Sequence, residues 1–188
     1  MYTAVVNLCG GQVFSDNVTV TVIPQDNAGF GYGSSTLCQS GFSGNPVTPY
    51  PGGIYYAAPP GLSINASTGN INLGASNPGT YTITHITQGS CPDTASIVLT
   101  VVTSPSATFG YPQPGYCVTA NNPLPVFAPG SSAGTFSATP PGLVFASIYT
   151  GEINLAASAQ GTYQVTNTIP PSAACPQVIY TTMVQIYS

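Results

Sequence analysis

Pro59-Pro60-Gly61-Leu62, then Thr68-Gly69-Asn70-Ile71-Asn72-Leu73, then Gly79-Thr80-Tyr81: these words are written again as Pro140-Pro141-Gly142-Leu143, Thr150-Gly151-Glu152-Ile153-Asn154-Leu155 and Gly161-Thr162-Tyr163. The offsets are 81, 82 and 82, and an earlier word, Phe30-Gly31-Tyr32, returns as Phe109-Gly110-Tyr111 at 79. A period of this size exceeds the roughly 20 to 50 residues of solenoid repeats, whose units cannot bury a core alone. Each copy is therefore expected to be a domain with its own core, and the chain an array of them.

The stretches around these words read as strands. Val18-Thr19-Val20-Thr21-Val22 alternates strictly, Tyr81-Thr82-Ile83-Thr84 and Tyr163-Gln164-Val165-Thr166 do so more briefly, and turn signals such as Pro51-Gly52-Gly53, Asn77-Pro78-Gly79 and Pro129-Gly130 separate them. No window holds apolar residues at helical spacing. Within one unit, strands are expected near Phe30, at Ile54 to Ala58, Leu62 to Asn65, Asn70 to Leu73, Tyr81 to Thr87 and Ala95 to Val102. Ser67-Thr68-Gly69 should form a tight turn, with Gly69 supplying a positive φ. Some seven strands per unit is the count of an immunoglobulin-like sandwich. The expected fold is all-β, with tandem immunoglobulin-like β-sandwich domains in a linear array. Gly79-Thr80-Tyr81 sits where such folds place a corner tyrosine, whose hydroxyl bonds back to the backbone, against the alternative of an ordinary core tyrosine.

Register divides the chain into residues 24–103 and 104–188, two complete repeats, preceded by residues 1–23. In that leading piece Tyr2 stands where Tyr81 and Tyr163 stand, and Tyr2 to Val6 and Val18 to Val22 match the last two strands of a unit. Residues 1–23 therefore read as the C-terminal strands of a truncated preceding repeat. Met1 is followed by neither a basic nor an apolar leader region, so the chain is expected to have lost a signal or to be an internal piece of something longer.

Composition narrows function by exclusion. The 188 residues hold no Lys or Arg, four acidic residues and one His, so 2% are charged, against about 25% in an ordinary domain. Without cations there is no electrostatic hold on nucleic acid or on an anionic membrane. Neither partner is expected, nor is direct membrane insertion, since the longest strongly apolar stretch, Ile97 to Val102, is far below the roughly 20 residues of a spanning helix. At 43% hydrophobic residues with 12 Tyr, core material is ample despite 21 Gly and 19 Pro.

Five cysteines are an odd number that the repeat accounts for. Cys38 and Cys117 share an early position in the two units, while Cys91-Pro92 and Cys175-Pro176 share a late one. Pairing Cys38 with Cys91 and Cys117 with Cys175 is the simplest connectivity, one disulfide per unit. Cys9 then holds the late position of the truncated unit and should be unpaired. A disulfide framework implies an oxidising compartment. Zinc is disfavoured, because there is no C-x-x-C and His85 is the single histidine.

Catalysis has little to work with. A triad of His85, Asp93 and a serine can be drawn, but nothing brings them together, and the second unit has Asn167 in place of His85. The acids Asp16, Asp26, Asp93 and Glu152 are scattered, which supports neither a glycosidase pair nor a calcium cage; Asp26-Asn27 at a unit junction is the one candidate for a weak interdomain calcium site. No catalytic residue, cofactor or metal is expected. Tyr50, Tyr55, Tyr56, Tyr111, Tyr116 and Tyr149 are candidates for stacking on sugars, against the alternative that they fill cores and interfaces. Asn17-Val18-Thr19 and Asn65-Ala66-Ser67 are glycosylation sequons of low specificity.

The pattern PPGL, TG-x-I-N-L, GTY resembles immunoglobulin-like repeats of bacterial surface proteins. With FGY, an early Cys and a late Cys-Pro added, it is similar to repeats of the giant gliding-motility adhesins of Bacteroidota, the SprB-like proteins. The resemblance covers nearly the whole chain. It implies export by the type IX secretion system, display at the outer surface, and a role as a long stalk or filament. It also implies that Thr94, in Asp93-Thr94-Ala95, is a candidate for O-glycosylation.

The leading expectation is thus a non-catalytic structural and adhesive segment of a long extracellular fibre attached to the outer membrane at the cell surface. Its partners would be neighbouring repeats of the same chain or fibre, with surface glycans or other cell-surface polymers as candidate targets. Two other readings remain open. One is a self-assembling filament subunit whose first 23 residues pair with another chain by β-strand complementation. The other is a carbohydrate-binding module of a secreted protein.

Overall fold

A computed structural model describes the backbone of residues 2–7 and 13–18 and the whole of residues 21–188. In the leading piece, β1 (Tyr2–Asn7) pairs antiparallel with β2 (Val13–Val18), Tyr2 opposite Val18. Of the alternating run from Val18 to Val22, Val18 is in this ladder. Thr19 and Val20 lie outside the described residues, as does Cys9, and Thr21 and Val22 are exposed outside any strand.

The first unit is built on β3 (Thr36–Cys38), β4 (Ile54–Ala58), β5 (Gly79–Ile86) and β6 (Thr94–Val102), in the order β3-β6-β5-β4. β3 runs parallel to β6, and the other pairs are antiparallel. The second unit contains β7 (Phe109–Gly110), β8 (Gly115–Cys117), β9 (Val126–Phe127), β10 (Thr135–Thr139), β11 (Phe145–Ser147), β12 (Glu152–Ile153), β13 (Gly161–Ile169) and β14 (Val178–Tyr187). Its main sheet has the order β10-β13-β14-β8 with β8 parallel to β14, which repeats the first sheet strand for strand.

Alternation places the core. On β5 Tyr81, Ile83 and His85 point inward, and on β13 Tyr163, Val165 and Asn167 do so. The first core gathers Ile71, Leu73, Tyr81, Ile83, Leu99 and Val101. The second gathers Phe109, Phe136, Ile153, Leu155, Tyr163, Val165, Val184 and Ile186 and is separate from it. Phe30, Leu62 and Ile64, from segments outside the main sheet, pack against the first core, in an immunoglobulin-like sandwich.

Several expected strands are reduced to single bridges in the first unit. Gly31 pairs with Val47, Ile64 with Ile71 and Phe42 with Asn72, after which Leu73–Ala75 turns into one 3-10 coil. Side chains replace the missing ladder. Ser76 Oγ donates to the Asn72 carbonyl at 2.7 Å and accepts from the Ser63 amide at 3.0 Å, while Asn65 Oδ1 accepts from the amides of Ser67 and Thr68. Polar side chains that bond nearby backbone in this way compete with sheet formation. The expected turn forms, with Gly69 at φ 71 and its copy Gly151 at φ 75.

The repeated words are the hydrogen-bonded ones. Tyr32 of FGY donates its hydroxyl to the Gly69 carbonyl, and Tyr111 donates to that of Gly151. Asn72 Oδ1 caps the 3-10 coil by accepting from the Ala75 amide at 3.1 Å, and Asn154 does the same for Ala157 at 3.2 Å. Tyr81 donates to the Asn77 carbonyl at 2.7 Å and Tyr163 to the Ala159 carbonyl at 2.9 Å, the bonds expected of corner tyrosines. Gly61 and Gly142 of PPGL lie under these hydroxyls at φ 127 and 129, where a Cβ would meet the tyrosine oxygen at 2.9 and 2.7 Å.

Candidate functional site: the junction between the two cores

Residues linking the cores run from Val102, the end of β6, to Phe109, the start of β7. Cys38 ends β3 directly opposite Val102, and the following amide, that of Gln39, donates to the Val102 carbonyl at 2.8 Å. Parallel pairing thus carries Cys38 to the pole from which the chain leaves the first unit. Cys175 lies on the β13–β14 loop at the entering pole of the second unit, held in a tight turn. Its amide donates to Ser172 Oγ at 3.0 Å, and the Ser172 amide donates back to its carbonyl at 2.9 Å. Its sulfur sits 3.9 Å from the Thr103 carbonyl of the linker.

Cys38 and Cys175 are bonded to each other. Their Cα atoms are 4.9 Å apart across a sequence separation of 137, and both residues are buried. This corrects the expected pairing of Cys38 with Cys91 and of Cys117 with Cys175. Cys91 precedes β6 and Cys38 faces its far end, so the nine residues of β6 lie between them. At about 3.3 Å per residue that is roughly 30 Å, several times the Cα separation a disulfide spans. Cys175 and Cys117 are held apart by β14 in the same way. Cys91 and Cys117 are in no disulfide among the described residues, and Cys117 is exposed. Cys9 lies outside them, so its pairing is not described.

No family model and no curated protein matches this chain. Among solved structures it is similar to Drosophila N-cadherin EC1-4 at 8% identity and TM-score 0.37, over 87% of this chain and 50% of that one. It is similar to human protocadherin-24 EC1-2 at 9% and 0.36, over 89% and 99%, and to human CDH23 EC21-23 at 15% and 0.35, over 81% and 71%. The chain spans half the length of the N-cadherin fragment it matches.

The residues singled out for chemistry are occupied structurally. His85 is fully buried, stacked on Tyr55 with centroids 4.2 Å apart, with Nδ1 2.9 Å from the Ala28 carbonyl and Nε2 2.7 Å from that of Gly52. Asp93 Oδ2 accepts from the Ala28 amide at 3.0 Å. The amides of Ala28 and Thr94 hold the Asp93 carboxyl below the usual carboxylate range. Asp93 thus holds the Ala28 amide and His85 meets the Ala28 carbonyl, so both are engaged by backbone and do not form a triad. Asp26 accepts from the Gly89 amide at 2.9 Å, which ties the incoming chain to the β5–β6 loop. Among the described residues no three His, Cys, Asp or Glu side chains converge, and no helix is long and apolar enough to cross a membrane.

Of the tyrosines considered for sugar stacking, Tyr55 is core. Tyr50, Tyr111 and Tyr116 are half-buried, the last accepting from the Gln113 amide at 2.9 Å. Tyr56 and Tyr149 remain exposed, at 49% and 70%, one in each unit. Thr94 is exposed at the first position of β6.

Proposed function

We propose that this chain is a structural and adhesive segment of a long extracellular surface fibre, in which residues 24–103 and 104–188 are successive repeats and residues 1–23 close a preceding one. The observation that carries this reading is the Cys38–Cys175 bond, which ties the exit pole of one core to the entry pole of the next. A disulfide across a junction adds a second covalent connection beside the linker and limits bending there. Such a device suits a spacer under tension and does nothing for turnover. Disulfides persist in oxidising compartments, which supports an extracellular location.

The sequence likeness to SprB-like repeats supports a finer reading: a stalk of a gliding-motility adhesin of Bacteroidota, exported by the type IX system and attached at the outer membrane. The exposure of Thr94 is compatible with its carrying an O-glycan in such a setting. Immunogold labelling of intact source cells with antibodies against this chain tests the proposal. Label along filaments outside the cell is expected, and label confined to permeabilised cells overturns it. A second reading, strand complementation between chains, is favoured by the β1–β2 ribbon, which among the described residues is a sheet of two strands. It requires concentration-dependent polymerisation that disappears when residues 1–23 are removed.

A further inference from the structure

Cys91 and Cys117 stand in the two kinds of position that the existing bridge uses. Cys117 ends β8 opposite Tyr187, the last residue of β14, just as Cys38 ends β3 opposite Val102, the last residue of β6. The following amides make the same bond, Val118 to the Tyr187 carbonyl at 3.1 Å and Gln39 to the Val102 carbonyl at 2.8 Å. At the other pole Cys91 Sγ lies 3.8 Å from the Ile23 carbonyl, as Cys175 Sγ lies 3.9 Å from that of Thr103. Each unit therefore carries one cysteine where the chain leaves and one where it enters, in matched backbone settings. The junction that has both halves present is bonded.

We infer that Cys38–Cys175 is one link of a series in which the exit cysteine of each repeat bonds the entry cysteine of the next. Cys117 is the acceptor for the Cys-Pro loop cysteine of a following immunoglobulin-like repeat, and Cys91 for the exit cysteine of a preceding one. The inference rests on the reading of the chain as part of a repeat array. The chemistry is thiol–disulfide exchange: a sulfur–sulfur bond forms between two thiols, and their two protons and two electrons pass to a small disulfide oxidant, which leaves as two thiols. In such a series every junction is crossed by the backbone and by one disulfide. Each unit is joined to both neighbours through sulfurs at its opposite poles, and no unit needs a disulfide of its own.

The test extends the chain by one repeat in register, placing a second copy of residues 104–188 directly after Ser188. It is refolded in a glutathione redox buffer, alkylated and digested with pepsin, the chain having no Lys or Arg for trypsin. The expected result is a peptide pair joining Cys117 to the added copy's entry cysteine, beside the retained Cys38–Cys175 pair, with the added cysteine alkylated once Cys117→Ser is introduced. Cys117 recovered alkylated, or bonded within its own repeat, overturns the inference. A second measurement uses the 188-residue chain with Cys9→Ser, oxidised at high concentration. Head-to-tail Cys117–Cys91 links between copies are expected, and like-to-like links in equal yield, or no links, count against the series. If cells show surface filaments but Cys117 stays a thiol, the fibre reading stands and the series falls. If Cys117 is bonded as stated but label stays inside cells, the reverse holds.

Discussion

His85 and Asn167 occupy the same position in the two cores, opposite Tyr55 and Phe136, and each reaches two backbone carbonyls. His85 faces those of Ala28 and Gly52, and Asn167 Nδ2 donates to those of Ala107 and Ser132, both at 2.9 Å, while its Oδ1 accepts from the Gly134 amide at 2.8 Å. Both side chains are fully buried. The shared requirement is a polar side chain that reaches two buried backbone segments; the Asn167 amide nitrogen donates to both of its carbonyls, whereas a neutral imidazole carries one N–H and donates to one of its two.

It follows that His85→Asn should cost about 1 kcal/mol or less, since the amide can reproduce the bonds its counterpart makes. His85→Ala should cost about 3 kcal/mol, because it removes the ring's hydrogen bond to buried backbone and opens a cavity beside Tyr55. Urea unfolding of the two variants checks the contrast. Equal losses would show that ring volume, not hydrogen bonding, is what the site needs.

Tyr81→Phe and Tyr163→Phe each remove one hydroxyl bond, to Asn77 and Ala159, and should each lower stability by about 1 kcal/mol. Gly61→Ala and Gly142→Ala should cost more, through the positive φ and the collision with the hydroxyl. Combining Gly142→Ala with Tyr163→Phe should be less damaging than the sum, because the atom the new Cβ meets is gone. A double-mutant cycle by thermal denaturation measures that coupling.

Burial pushes the phenols of Tyr32 and Tyr111 well above the ordinary tyrosine range, with Tyr55 and Tyr116 nearby adding to the effect. Each donates to a turn carbonyl, which a phenolate cannot do. Because the folded value lies above the unfolded one, the contribution is fully present below about pH 10, the unfolded phenol value, and is lost as pH rises from there toward the folded one. Melting temperature should therefore be unaffected by these groups between pH 7 and 9 and fall above pH 10. The fall should be shallower in Tyr32→Phe and Tyr111→Phe.

Reduction, or Cys38→Ser, should leave both units folded, since each has its own core, while releasing their tether. On the chain-entropy estimate for a 137-residue loop the bond is worth about 5 kcal/mol as an upper guide. Pulling the chain by its ends is the direct measurement. The oxidised form should hide the segment between the two cysteines, and reduction should add about 490 Å of contour, at roughly 3.6 Å for each of 137 residues. No added contour would mean that the bond does not bridge the units.

Much of the fold was legible along the chain. Ile54–Ala58 forms a strand at the expected bounds, and Gly79–Ile86 and Thr94–Val102 lie within one or two residues of them, because half-buried strands alternate and turns need Gly and Pro. The corner tyrosines were legible too, since their bond reaches only four residues back. The weaker strands were not, because Ser76, Asn65 and Asn72 satisfy the backbone locally where a ladder was expected. Nor was the role of His85, since its partners at Ala28 and Gly52 lie 57 and 33 residues away.

The amino-acid sequence by itself determined a duplicated all-β chain with no cations, whose repeated words are local hydrogen-bonding units: the turn at Gly69, the cap at Asn72, the corner at Tyr81. Tertiary structure alone decided which cysteines meet. Register shows that Cys38 and Cys91 belong to the same repeat, but not that they lie at opposite poles, which depends on β3 running parallel to β6. A disulfide reaches only a few ångströms. That parallel pairing turns two apparent bridges within repeats into one bond between them.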